Sequence, residues 1–344
     1  MVDFWYLCPV MNQKQILLGI SSVQHFLVDG LCICCMYLLA PAYAAELTLS
    51  AFLTYNVIAF MSQPFTGMLA DRMQHRHWLL LSSVVLLSLA VALASLSGRV
   101  PFGLSLVAVL LGIGNSLFHV WGGKQTVVKV GNDIRALGVF VSTGAFGLAV
   151  GLVCCSWTLL YVFLLAVVFL SVAYVRYDTQ PLDGDRDEAD RSVPVLPQRA
   201  RLWLQGLPLL SLWMVVVLLM LFVAYRSFAG ELFSKGISKS QLLILVIGAT
   251  SMLGKMAGGW IACRLGIFRT LAYILAGVAL CFLFRGDYVA VLLLGVFLMN
   301  CTMPVTLYLA NEVLKQREGL AFGLLAAALI PGWWLAVYGW RIGI

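Results

Sequence analysis

His25 and Asp29 lie four residues apart in QHFLVDGLCICC (residues 24–35), a run otherwise as apolar as lipid. Positions four apart share a helix face, so an imidazole and a carboxylate would stack there. A coupled pair of that kind can change its proton occupancy near neutral pH, as a proton carrier must. The plainer reading is a His–Asp hydrogen bond that packs two helices. Asn115 and His119 repeat the spacing in GIGNSLFHVWGG. They offer a substrate-binding pair or an interhelical hydrogen bond. Arg226, in YRSFAG, presents a cation to an anionic or zwitterionic substrate, or snorkels to an interface; Glu231 is near enough in sequence to partner it. Asn300 falls beside Thr302 and Pro304 in another apolar run. His25, Asp29, Cys32 and Met36 also make one helical stripe that a soft metal could use. Cysteine and methionine are ordinary apolar fillers, so no metal and no cofactor is expected.

The elements that must hold these groups follow from composition. The chain has 344 residues, 62% apolar and 11% charged, with mean hydropathy +0.97. A soluble domain carries about 25% charged residues. Runs of roughly 20 apolar residues recur along nearly the whole length, the signature of repeated spanning helices. A membrane barrel would instead show short alternating strands. Eleven spans can be drawn, at 15–40, 48–70, 78–97, 102–123, 134–155, 157–175, 206–230, 240–262, 268–285, 287–311 and 319–341. A polar stretch rich in Asp, Arg and Pro, residues 176–203, shows no apolar helical stripe and divides the chain. The expected organisation is a six-helix bundle (1–175), a cytoplasmic linker (176–203) and a five-helix bundle (204–344). The first fourteen residues lack the basic start and cleavage site of a signal peptide, which leaves the first helix as the targeting signal.

The net charge of +7 lies in short loops between apolar runs and so reads as a topology signal, with no nucleic-acid partner expected. With the N-terminus in the cytoplasm, inner segments hold fifteen Lys and Arg residues and outer ones five. That bias predicts a multi-pass protein of the plasma (inner) membrane with a cytoplasmic N-terminus. The two cations left over, Arg226 and Lys255, fall inside spans. The nine cysteines mostly sit in apolar runs and form no disulfide framework.

The two halves repeat. GMLADRMQHR follows the second span and GWIACRLGIFR the eighth, with Gly67 and Arg72 each 192 residues before Gly259 and Arg264. Lys255 holds the same place in the repeat as Gln63. Internal repeats are how many secondary transporters are built. The first copy resembles the loop motif G-x-x-x-D-R-x-G-R/K of the major facilitator superfamily, departing from it at Gln74 and His75. QHFLVDG, GIGNSLFHVWGG and YRSFAG resemble segments of its fosmidomycin-resistance efflux branch, with Val120 where that branch has proline. Gly144, Gly147 and Gly151 are similar to an antiporter glycine pattern that lacks its proline here. The resemblance implies an all-α polytopic fold of two bundles, here with about eleven helices and no counterpart of the family's last one. It also implies a gate built on Gly67, Asp71, Arg72 and Arg76, echoed by Arg264. As an alternative, those basic residues serve only as topological anchors.

In that fold the first, fourth, seventh and tenth helices line a central path, while the third, sixth and ninth face lipid. The polar groups obey that division: the third, sixth and ninth spans have no charged or amide residue in their interiors. A charge at mid-bilayer costs at least ~2.5 kcal/mol, so such groups face a cavity. The reading is a secondary transporter moving a small organic molecule, anionic or drug-like, by alternating access. Proton-coupled efflux leads, with Asp29 and His25 carrying the proton and His119, Asn115, Arg226 and Asn300 binding substrate. The alternatives are a proton-coupled importer of a nutrient or organic anion, a soft-metal transporter and a non-transporting scaffold. The expected partners are the substrate, protons and the lipid bilayer, and the chain is expected to be a monomer. No G-x-S-x-G, H-E-x-x-H or nucleotide-binding loop is present, which argues against an enzyme or an ATP-driven pump.

Overall fold

Backbone polar groups in hydrocarbon must be satisfied within their own segment, and the apolar runs of this chain accordingly form helices. The computed structural model describes residues 13–73, 77–96, 103–178, 196–235, 237, 240–284 and 288–338. The first half comprises α1 (Gln13–Leu39), α2 (Ala45–Met61), α3 (Gln63–Arg72), α4 (Trp78–Leu96), α5 (Gly103–Val130), α6 (Ile134–Val153) and α7 (Trp157–Tyr177). A short helix, α8 (Gln198–Gln205), precedes the second half. That half comprises α9 (Leu209–Lys235), α10 (Gln241–Leu265), α11 (Ile267–Leu283), α12 (Val289–Val313), α13 (Glu318–Ala327) and α14 (Leu329–Tyr338). Ten segments among the described residues are long and apolar enough to cross a bilayer, and α11 is a shorter apolar helix of 17 residues. The architecture is the all-α polytopic one expected, with a helix at each of the eleven spans.

Two boundaries differ from the sequence reading. The fourth span continues past Gly123 to Val130, which moves Lys124 and Lys129 from a loop onto α5. The linker is also not wholly irregular, because α8 occupies its end. Prolines explain the breaks within spans. A proline lacks the donor for the carbonyl four residues back and its ring clashes with that carbonyl. Pro64 thus divides the second span into α2 and α3, and Pro331 divides the last into α13 and α14. Pro304 stays inside α12 and frees the carbonyl of Asn300.

Within the first half, α1 packs on α5, α6 and α7, and α5 on α2 and α4. In the second, α12 packs on α9, α10 and α11. The halves meet through α6 against α10 and through α3 against α13. One apolar cluster straddles that seam, joining Leu137 and Phe140 of α6 to Tyr308 of α12 and Leu320 and Phe322 of α13. α4, α7 and α11 carry large exposed apolar side chains such as Val85, Phe169 and Phe268, as peripheral helices facing lipid should.

Candidate functional site

The close pairing of α1 with α6 and α5 brings the two i, i+4 pairs of the sequence together. His25 Nε2 lies 3.3 Å from Asp29 Oδ2, and His119 Nε2 lies 3.3 Å from Asp29 Oδ1. Asn115 donates from Nδ2 to Asp29 Oδ1 at 3.1 Å. The two histidines face each other edge to face, with their Nε2 atoms 2.8 Å apart. All four residues are buried.

Hydrogen-bond logic fixes the protons in this cluster. His25 Nδ1 is 2.8 Å from the carbonyl oxygen of Phe140, and His119 Nδ1 is 2.9 Å from that of Asn115. Carbonyl oxygens only accept, so both Nδ1 atoms carry hydrogen. Both Nε2 atoms would then be bare in neutral imidazoles, and their 2.8 Å contact requires a proton on one of them. The cluster so built holds one proton beyond two neutral histidines, beside a carboxylate. Removing that proton leaves lone pairs facing each other, so this geometry belongs to the protonated state.

Space for the cluster comes from Gly144 on α6. A Cβ at that position would overlap Asp29 Oδ2 and His25 Nε2. Gly144→Ala is therefore expected to spread the cluster. Losing one hydrogen bond to a charged group, about 1.5–3 kcal/mol, should weaken proton binding roughly tenfold or more. Proton uptake by the purified protein, followed with a pH indicator dye, checks this; uptake equal to wild type would refute the packing argument.

The cluster opens onto a cavity of about 200 Å³ at the join of the two halves. Gln63, Arg226, Lys255 and Thr306 contribute polar groups, and Val141, Leu148, Phe322, Leu325 and Leu329 much of the apolar wall. A second cavity of about 280 Å³ shares Arg226, Lys255, Met303 and Leu329 with it and adds Glu231, Ser251 and Asn300. Pockets for small ligands span roughly 300–1,000 Å³, and the two adjoining spaces together fall in that range. Arg226 is buried and its Nε has no hydrogen-bond partner among the described residues. Asn300 donates to Val296 O at 2.8 Å and to Ser251 Oγ at 3.4 Å.

At one end of the seam the halves are latched. Asp71 accepts from the backbone N–H groups of Gly319 and Leu320, each at 2.9 Å. The positive end of the α13 dipole favours a carboxylate there. Lys124 Nζ lies 3.4 Å from Asp71 Oδ1 and donates to Ala70 O at 2.7 Å. Gly67 permits the approach, since a Cβ on it would meet the carbonyl of Gly319. Nearby, Asn132 donates to Tyr308 O and Glu312, and Arg201 pairs with Glu312 at 3.2 Å.

Of the residues singled out in the sequence, His25, Asp29, Asn115 and His119 form one cluster, and Arg226 and Asn300 line the adjoining space. Gly67 and Asp71 meet α13, whereas Arg72 and Arg264 are exposed and Arg76 lies outside the described residues. Lys255 and Gln63, equivalent in the repeat, line one cavity. Three groups went unremarked: Lys124 as partner to Asp71, the Phe140 carbonyl, and the buried Lys129–Asp178 pair at 2.8 Å. The spacing of His25, Asp29 and His119, with ligand atoms all within 4.8 Å, is also that of a metal site. Two cations on the same cavity oppose a divalent ion there. Cys32 of the metal stripe instead lies 3.9 Å from Asn115 Nδ2.

The geometry can be set beside known proteins. No curated protein matches the sequence. Among solved structures, a single-residue variant of the Escherichia coli fucose:proton symporter FucP has a TM-score of 0.69 at 13% identity, covering 96% of this chain and 93% of that one. FucP in its outward conformation has a TM-score of 0.69 at 14% identity, with coverages of 96% and 92%. The human organic anion transporter MFSD10 has a TM-score of 0.66 at 17% identity, with coverages of 95% and 94%. At such identities these likenesses show the fold. The sequence also matches the family model of the Major Facilitator Superfamily over residues 35–337. With a match over most of its length, two halves joined along α6–α10 and α3–α13, and polar groups gathered at their join, the chain belongs to the major facilitator superfamily.

Proposed function

We propose that this secondary transporter moves a small organic molecule across the plasma (inner) membrane by alternating access, coupled to protons. The observation that carries the coupling is the 2.8 Å contact between His25 and His119 beside Asp29, which needs one shared proton. Asp29 and His25 carry the coupling within a cluster in which His25 shares the proton with His119 and Asn115 donates to Asp29. Arg226 and Asn300 face the substrate. Gly67 and Asp71 act as the gate at the cytoplasmic end, while Arg72, Arg76 and Arg264 serve as topological anchors. The N-terminus is cytoplasmic, and the chain works as a monomer.

Efflux by antiport is the direction the branch resemblance implies, and the similarity of Gly144, Gly147 and Gly151 to an antiporter glycine pattern supports it. In antiport, proton and substrate occupy the transporter in turn, so the cluster would shed its proton as substrate binds. Symport-driven import is the second reading; it is favoured by the likeness to a protein named as a fucose:proton symporter. Flux of a panel of small organic solutes in inverted vesicles, with and without a pH gradient, tests the proposal. A gradient-dependent flux is expected for at least one solute. Flux indifferent to the gradient across the panel would defeat the coupling, and its direction decides between the two readings.

A further inference from the structure

We propose that Arg226 and Lys255 form a two-cation site for the acidic group of an amphipathic organic anion. The inference rests on the transport reading above and names the chemical class of its substrate. Both cations come from the second half, Arg226 from α9 and Lys255 from α10, and both line each of the two cavities. Neither has an ion-pair partner among the described residues. Arg226 is only 7% exposed, and its Nε is buried with no hydrogen-bond partner among the described residues. An isolated buried cation is costly unless something pairs with it, and two on one wall repel as well.

The charges around the site leave that cost uncompensated. Across the cavity, in the protonated state that this geometry represents, Asp29 is matched by the proton held between His25 and His119. Gln63 and Thr306 are neutral. Glu231 lines only the second cavity and forms no ion pair within 4.0 Å among the described residues. What completes the wall is an anion, for which a guanidinium offers a planar fork and an ammonium a point charge. The rest of the wall sets the body of that anion. Val141, Leu148, Phe322 and Leu325 present apolar surface, which suits a compact aromatic or aliphatic group. The class is thus a small carboxylate, sulfonate or phosphonate with an apolar body. A sugar would set several of its hydroxyls against these apolar side chains without hydrogen-bond partners.

The test uses the purified full-length protein and three probes: benzoate, phenylphosphonate and the neutral isostere benzamide. Calorimetric titration is expected to show the anions binding at least tenfold more tightly than benzamide. Arg226→Gln and Lys255→Gln should each erase that preference. Neither should lower the thermal stability of the ligand-free protein, because each removes an uncompensated charge. Arg226→Lys should keep part of the preference, which separates charge from fold. Equal binding of benzoate, phenylphosphonate and benzamide, or a preference that survives both glutamine variants, would overturn the proposal. So would a marked loss of ligand-free stability in both, since the cations would then be structural. No proton gradient enters this measurement. Anion preference without gradient-dependent flux would remove the coupling and leave the site, and coupling without anion preference would remove the site alone.

Discussion

Replacing Asp29 by asparagine is expected to leave a folded transporter that ignores the pH gradient. Asparagine matches the carboxylate in size, and its amide can still meet Asn115 and one imidazole across distances of 3.1–3.3 Å. What it lacks is the charge that stabilises the proton held between His25 and His119. Breaking a buried ion pair by removing one partner leaves the other charge uncompensated, at a cost of about 3–5 kcal/mol. Discharging the imidazolium avoids that cost, so the variant should hold one proton fewer and its histidine contact should open. In proteoliposomes, gradient-driven accumulation should vanish, while substrate exchange at equal pH on both sides continues. Exchange is the control that separates a lost proton from a misfolded chain. Accumulation that still follows the gradient in Asp29→Asn would sink the assignment.

The lipid-facing and cavity-facing division of the helices was legible in the sequence because hydrocarbon imposes it. A span with no charged or amide residue has no reason to avoid acyl chains, and one with a buried ionisable group cannot tolerate them. The i, i+4 pairs on α1 and α5 were legible for the same reason, since helical periodicity alone places their members on one face. That the two pairs meet was not. His25 and His119 are 94 residues apart, and their contact depends on how closely α1, α5 and α6 approach. The glycines of α6 mark that closeness but do not say what it brings together. That Lys255 and Arg226 line the same two cavities was not legible either, since it depends on how the two helices that carry them pack. Lys124 reads as a topological charge in the sequence, because nothing there shows that α5 runs about two turns further and beside Asp71. Within the basic loop motif, Asp71 and Gly67 meet the opposite half, and Arg72 is exposed.

Gly67→Leu should unlatch the end of the bundle that bears Asp71. On α3 and α13 the backbones approach until a Cβ on Gly319 would lie 2.7 Å from Gly67 O and 2.9 Å from Asp71 Oδ1. A leucine on Gly67 cannot be absorbed by a rotamer change, because what it meets is the carbonyl of Gly319 rather than the end of a flexible side chain. The helices must separate, and with them go both hydrogen bonds from the α13 N-terminus to Asp71. Bonds to a charged acceptor contribute about 1.5–3 kcal/mol each, so losing two shifts the ratio of sealed to unsealed forms by roughly a hundredfold or more. The opposite conformation, in which this end is already parted, loses nothing. Alternating access needs both, and transport should fall accordingly even though the cavity residues are untouched. Hydrogen exchange of the first turn of α13, residues 318–321, reads the latch directly and should accelerate in Gly67→Leu. Gly19→Leu is the matched control, since a Cβ there meets nothing within 4 Å. Unchanged exchange in the Gly67 variant would mean that the sealed end is held by the apolar seam of Leu137, Tyr308 and Leu320 and not by the carboxylate.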